Sequence, residues 1–267
     1  MRVMRRIGIG LWAAGLAAAA SGASWLVRDG QPQADIVTAE APTRGAKLAA
    51  AELQAGLRRI TGATLPIVTA PGSNVAGHVY VGRSAWTDAL GVTDAGLGES
   101  HYRCVSGEGW LALLGNDMEY LPPEPWFRSR ADRARLQAEW ERRTGRTWLS
   151  SDLSSFKGYN AALDIWQTDG VGSLYAVYDV LRGLGMEWYL PGELGEVAPR
   201  AADVPWPRLD KTVAPAVTAR AITFVHFFEQ GAAVPDHVRW YFRLGQGAPP
   251  RGFGHSMQVL LGDPNTR

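Results

Sequence analysis

The acidic, histidine, cysteine and tryptophan residues of this 267-residue chain could do chemistry, and their spacing sorts them. Asp164, Asp169, Glu187, Glu193 and Glu196 lie in or beside glycine-containing turns, and Asp263 sits in a Gly-Asp-Pro-Asn turn. They read as turn, cap or surface residues, so no pair is nominated for acid–base work and no catalytic residue is assigned. His78, His101 and His237 share no metal-ligand spacing, and no His-Glu-x-x-His occurs, so a metalloprotease reading lacks its first requirement. Gly170-Val171-Gly172 has no following Lys-Ser/Thr to make a phosphate cradle. Cys104 is the single cysteine, in a strand-like run, and reads as a buried, inert thiol. No metal and no cofactor are expected.

Eleven tryptophans is a high count, and flat rings stack well on planar or sugar-like partners. Trp126 and Trp148 fall in a polar stretch and are the two expected to be exposed for binding. Trp188 and Tyr189 alternate on a strand and should be split between the core and an interface. His226 and His255 close two apolar-to-glycine segments and are read as polar contacts to a ligand hydroxyl.

Several elements must position these groups. Thr43 caps a helix running to about Ile60, with Ala46, Ala49, Ala50, Leu53, Leu57 and Ile60 on its buried side and Gly62 closing it. Short strands are expected at Ile36–Ala39, Leu65–Val68 and His78–Gly82. Tyr102–Ser106 and Trp110–Leu114 pair as a hairpin across Gly107-Glu108-Gly109. Leu174, Val177, Tyr178, Leu181 and Leu184 share one face of a helix with Ser173 as its N-cap and Gly185 as its left-handed stop. A short aromatic strand follows, ending at Pro191-Gly192. Strands and helices in this order, without regular alternation, indicate an α+β fold. A charged helix is expected from about Ala131 to Arg143, and another from about Pro235 to Leu244.

Composition bounds the class. Hydrophobic residues make up 46% and charged residues 20%, as in an ordinary globular protein. A formal net charge of +1 gives no electrostatic case for nucleic acid. Arg2, Arg5 and Arg6 precede an apolar run from Ile7 to Ala20, followed by Ser21-Gly22-Ala23. That order is a secretory signal peptide over residues 1–23, with export to the periplasm or beyond, and the run is short for a stable membrane anchor.

The segment Gly172-Ser173-Leu174-Tyr175-Ala176-Val177-Tyr178, followed by Leu184-Gly185, Glu187-Trp188-Tyr189-Leu190 and Pro191-Gly192, resembles a known family. It is similar to the α+β domain that precedes the catalytic barrel in alpha-glucuronidases and beta-N-acetylhexosaminidases, closest to secreted bacterial glycoside-hydrolase-like proteins. The resemblance covers 35–199, with an insertion at 118–169. It implies a mixed sheet with helices packed on it, like the second domain of hexosaminidases. A linker at 200–216 and the start of a (β/α) barrel at 217–267 would follow. His226 and His255 would then end its first two strands. Such a barrel needs about 200 to 250 residues, so the chain is expected to be truncated and inactive alone. The function implied is an accessory domain of a secreted carbohydrate-active protein, with a poly- or oligosaccharide as partner and O-glycosyl hydrolysis carried elsewhere. A stand-alone carbohydrate-binding module and a membrane-anchored structural protein are the alternatives.

Overall fold

The computed structural model describes residues 25–119, 159–166, 169–216 and 234–246, together with helical positions 135, 138, 139, 141 and 142. Among these, a six-stranded mixed sheet is built from β3 (Ala34–Val37), β4 (Ile67–Val68), β5 (Gly77–Val81), β6 (Tyr102–Gly107), β7 (Trp110–Gly115) and β13 (Asp210–Val213). Its order is β13-β6-β7-β5-β3-β4. The four strands β4, β3, β5 and β7 run parallel, while β6 and β13 pair antiparallel. Two long helices, α1 (Arg44–Thr61) and α3 (Gly172–Gly183), cover one face, and the short α2 (Ala85–Ala89) follows β5. The α+β expectation therefore holds.

Strand alternation makes the two sides. Ile36, Val79, Val81, Leu111, Leu113 and Cys104 join the helices in the main core, while Val37, Tyr80, Ala112 and Leu114 form a second cluster with Val92 and Leu97. Burial pushes the Cys104 thiol up to about 12, which fits an inert packing group.

Helix α1 follows its sequence signals closely. Thr43 accepts a hydrogen bond from the Ala46 N–H at 3.2 Å, all six apolar positions named above are buried, and Gly62 ends the helix at φ +80°. Helix α3 starts differently. Its N-cap position is Val171, which contributes no side-chain bond. Ser173, expected as the cap, instead lies inside the helix and accepts from the Gly115 N–H at 3.0 Å. Its own N–H donates to Asp117 Oδ1 at 2.9 Å, so a carboxylate from the end of β7 caps α3. Gly185 stops this helix as expected, at φ +92°.

The Gly170-Val171-Gly172 run serves close packing. A Cβ on Gly172 would stand 2.5 Å from the Asn116 backbone nitrogen, and one on Gly115 would stand 2.4 Å from the Gly172 carbonyl carbon. Only two bare glycines let the end of β7 and the start of α3 cross this closely.

Residues 200–216, read as a connection, hold β12 (Val204–Pro205) and β13. β12 pairs with β1 (Trp25–Arg28), which also pairs with β2 (Gln31–Pro32) in a separate three-stranded sheet. β13 adds the outer strand beside β6, and Lys211 reaches Asp179 of α3 at 2.7 Å. Edge strands tolerate the prolines and polar alternation that made this span look like a linker. Two further two-stranded pairs are β8 (Tyr159–Asn160) with β9 (Ile165–Trp166), and β10 (Glu187–Trp188) with β11 (Glu196–Val197). Helix α4 (Pro235–Arg243) matches its expected span and buries Val238 and Phe242 in the main core. No helix among the described residues is long and apolar enough to cross a membrane.

Candidate functional site

Trp126, Trp148, His226, His255 and Asp263 all lie outside the described residues, and of the span 217–267 expected to begin a barrel only 234–246, which holds helix α4, is described. What the described residues assemble is a cleft of about 820 Å³ on the helical layer, between α1, the β10–β11 turn and α4. Five arginines (58, 59, 200, 239 and 243) and four carboxylates (Glu52, Glu193, Glu196 and Asp236) line it.

Glu52 organises this cleft. It sits on the buried stripe of α1 and is 6% exposed. Its Oε1 accepts from Arg239 Nε at 3.1 Å. Its Oε2 accepts from Arg243 Nε at 3.2 Å, Arg243 Nη2 at 2.8 Å and the Tyr178 hydroxyl at 3.2 Å. Arg243 also donates to Glu196 at 3.1 Å, and Arg59 lies 3.4 Å from the same carboxylate. Burial lowers the Arg243 pKa, but Glu52, Tyr178 and Glu196 outweigh it and hold the guanidinium above its ordinary value. The Tyr178 hydroxyl is pushed well up, by burial first and by the Glu52 charge second. Every oxygen of this buried carboxylate therefore meets cationic or hydroxyl donors, the condition under which a buried ion pair is tolerated.

Trp188 forms part of the cleft lining and is 4% exposed, whereas Tyr189 beside it is 67% exposed, so strand alternation does separate them. Arg182 and Arg243 stand over the Trp188 ring at 5.7 and 5.2 Å from its centroid. The Trp240 indole donates to the Trp188 carbonyl at 3.2 Å, the Tyr175 hydroxyl to the Gln246 carbonyl at 2.6 Å, and Arg182 to the Arg243 carbonyl. Helix α4 is thus held by core side chains, one buried ion cluster and three cross-element hydrogen bonds.

A second charged cluster lies at the opposite end of α1. Arg44 makes a bidentate contact to Asp169 at 2.9 and 2.8 Å, and its backbone N–H donates to Glu119 at 2.7 Å. Asp169 closes a turn onto the Trp166 carbonyl and accepts from the Trp166 N–H, as a turn or cap residue does, and it is also a buried ion-pair partner, so only a surface role is corrected. Glu196 is a half-buried strand residue paired with Arg243 and Arg59, not the turn, cap or surface residue expected. Asp164 does occupy a turn, at φ 52°, and Glu187 and Glu193 are exposed. Asp117 bridges both helix starts, accepting from Ser173 N–H and, at 3.5 Å, from the Thr43 hydroxyl. Burial pushes its carboxyl up to about 7 against the lowering effect of those bonds.

Of the described histidines, His78 has a structural side-chain partner. His78 Nδ1 lies 2.7 Å from Asp35 Oδ1, and Asp35 also accepts from the Gly72 N–H. Among the described residues no group of three or more His, Cys, Asp or Glu could hold a metal ion.

Sequence reading passed over Glu52, Asp117, Arg239 and Arg243. Glu52 carried a signal: a charge between Ala49 and Leu53 on an apolar helical stripe requires a buried partner.

Fold and cleft together define an α+β domain with a mixed sheet and a charged cleft on its helix layer. No protein-family model matches the chain, and no curated protein matches it. Among solved structures it is similar to a family GH115 4-O-methyl-alpha-glucuronidase with specificity for decorated arabinogalactans, at 16% identity and a TM-score of 0.39. That match covers 73% of this chain and 19% of the other, so the chain spans about a fifth of the length of the enzyme it resembles. At this identity and score the likeness is a weak structural one to a glycoside hydrolase.

Proposed function

We propose that this chain is a non-catalytic α+β accessory domain of an exported carbohydrate-active protein, and that it supports a catalytic barrel lying largely beyond these residues. The observation that carries the reading is the anchoring of α4. That helix follows the sheet in sequence, and Val238, Phe242, Arg239 and Arg243 fasten it to α1 and α3. A domain built to support what comes after it needs such a rigid, buried attachment. The Gly172–Gly192 segment supports the choice of family, and the Arg2–Ala23 order supports export.

Hydrolysis of aryl glycosides is the direct test. The purified 267-residue product should give no rate above buffer, and a product extended through the following reading frame should give one. Measurable turnover by the 267-residue product would overturn the non-catalytic reading. A stop codon directly after Arg267 would overturn the supporting role.

A further inference from the structure

We infer that this fold protects its own export-processing site, so that a signal peptidase must cut the leader before β1 joins its sheet. The leader itself rests on the export reading above, while the protection rests on the placement of β1. Ser21 and Ala23 are the small residues that such a peptidase needs before its scissile bond, which sets the cut between Ala23 and Ser24. Hydrolysis there consumes one water, breaks the Ala23–Ser24 amide, and leaves a carboxylate on Ala23 and an ammonium on Ser24.

β1 begins at Trp25, one residue and about 3.8 Å of chain beyond the new amino terminus. It is no loose end. Leu26 and Val27 are 1% and 0% exposed, and both belong to the main core. Neighbouring strand residues point to opposite faces, so β1 is enclosed from both. It is also the central strand of its three-stranded sheet. Trp25 and Val27 pair with Pro205 and Val204 on one side, and Val27 and Arg28 pair with Pro32 and Gln31 on the other. The turn that follows is fastened too. The Asp29 N–H donates to Asp203 Oδ1 at 2.6 Å, and the Gly30 N–H to the Ala202 carbonyl at 2.9 Å.

A peptidase takes its substrate as extended chain on both sides of the bond it cuts. Many domains offer that freely, because their first residues are loosely ordered unless a sheet ties them down. Here every residue from Trp25 to Arg28 already has strand or core partners within the domain. Cutting the folded chain requires β1 to leave its sheet first, and cleavage then follows the small population of opened molecules. Chain order supplies the interval in which the bond is free. Asp203 lies 174 residues after Asp29, so β1 cannot complete its sheet until that far end of the domain has been exported.

The test is digestion of the folded 267-residue precursor with purified signal peptidase in detergent, followed by N-terminal sequencing of the product. It is set beside a variant with a flexible Gly-Ser insert of about ten residues between Ser24 and Trp25. That insert leaves the bond and every strand pair intact, so the two should melt at the same temperature. The insert variant should be cut at least about tenfold faster, with Ser24 as the new first residue. Val27→Asp, which puts a charge at a fully buried position of β1, should also speed cleavage, whether it frees the strand alone or loosens the whole domain. Equal rates for the precursor and the insert variant would overturn the protection and leave the export reading standing. Cleavage at another bond would overturn the placement of the site. No cleavage of any of the three would overturn the inference and the export reading together. The non-catalytic reading is decided separately, by the aryl-glycoside assay.

Discussion

Helix α1 carries an ion cluster near each end, and the two are built on different principles. At its start, Arg44, Asp169, Glu119 and Asp117 knit loops to helix N-termini, where carboxylates are favoured by unsatisfied backbone N–H groups. Much of that charge neutralises local dipoles. Further along, Glu52 has no helix end to serve. Its partners are Arg239 and Arg243 on α4 and Tyr178 on α3, so the charge is compensated entirely by elements distant in sequence. The first cluster ties the end of the central strand β7 to both helix starts, and the second joins one part of the chain to another. Loss of a partner should therefore be felt most at Glu52.

Glu52→Ala tests this most severely. It leaves Arg243 buried with its principal partner gone, and breaking a buried pair this way costs about 3–5 kcal/mol. Urea unfolding should show that loss as a lower midpoint. Replacing Glu52 and Arg243 together with methionines should recover most of it, because no buried charge is then left unpaired. If the single change costs no more than a surface substitution, α4 is not fastened as described.

Gly172→Ala comes next and probes the other end of the helix layer. The new methyl would stand 2.5 Å from the Asn116 nitrogen and 2.7 Å from the His101 carbonyl oxygen, both backbone atoms that cannot swing aside. Overpacking of this kind costs about 1–3 kcal/mol. Gly183→Ala, with nothing within 4 Å, is the matched control and should be neutral or slightly stabilising in the same unfolding assay.

These positions also show what sequence could and could not reveal. Helix α1 was legible from end to end because cap, stripe and stop are local signals, and so was the β6–β7 hairpin. The Gly172 helix was legible as a helix, but its capping group was not. The capping carboxylate is Asp117, 56 residues earlier, and a side chain from another strand leaves no mark in the local pattern. β12 and β13 were hidden by prolines and by partners far away in the chain. In the cleft, Glu52 announced a need for a partner without naming it, since Arg239 and Arg243 lie 187 and 191 residues on. Trp126, Trp148, His226 and His255 belong to segments outside the described residues, so the comparison there rests on binding experiments.

Thr43→Ala should have a smaller effect than either change above. It removes the hydroxyl that accepts from Ala46 and also reaches Asp117, and loss of such a cap costs about 1 kcal/mol. Thr43→Ser keeps the oxygen and should restore nearly all of it. A loss above that of Gly172→Ala would mean that the start of α1 depends on Thr43 for more than capping.

The effect whose sign is most informative belongs to Asp117. Its folded pKa of about 7 lies above the ordinary carboxyl value of 3.8, because burial disfavours the charge more than Ser173 and Thr43 favour it. The folded chain therefore binds a proton here that the unfolded chain has released, across the window between those two values. Stability from this group is fully present below the lower value and falls as pH rises through the upper one. Asp117→Asn keeps an oxygen to accept from the Ser173 N–H and carries no charge, so it mimics the protonated state at every pH. Urea midpoints of the two proteins should agree closely at pH 4 and diverge toward pH 8, with the asparagine variant the more stable. Divergence in the opposite direction would mean that the ionised carboxylate, by capping α3, stabilises the fold more than its burial costs.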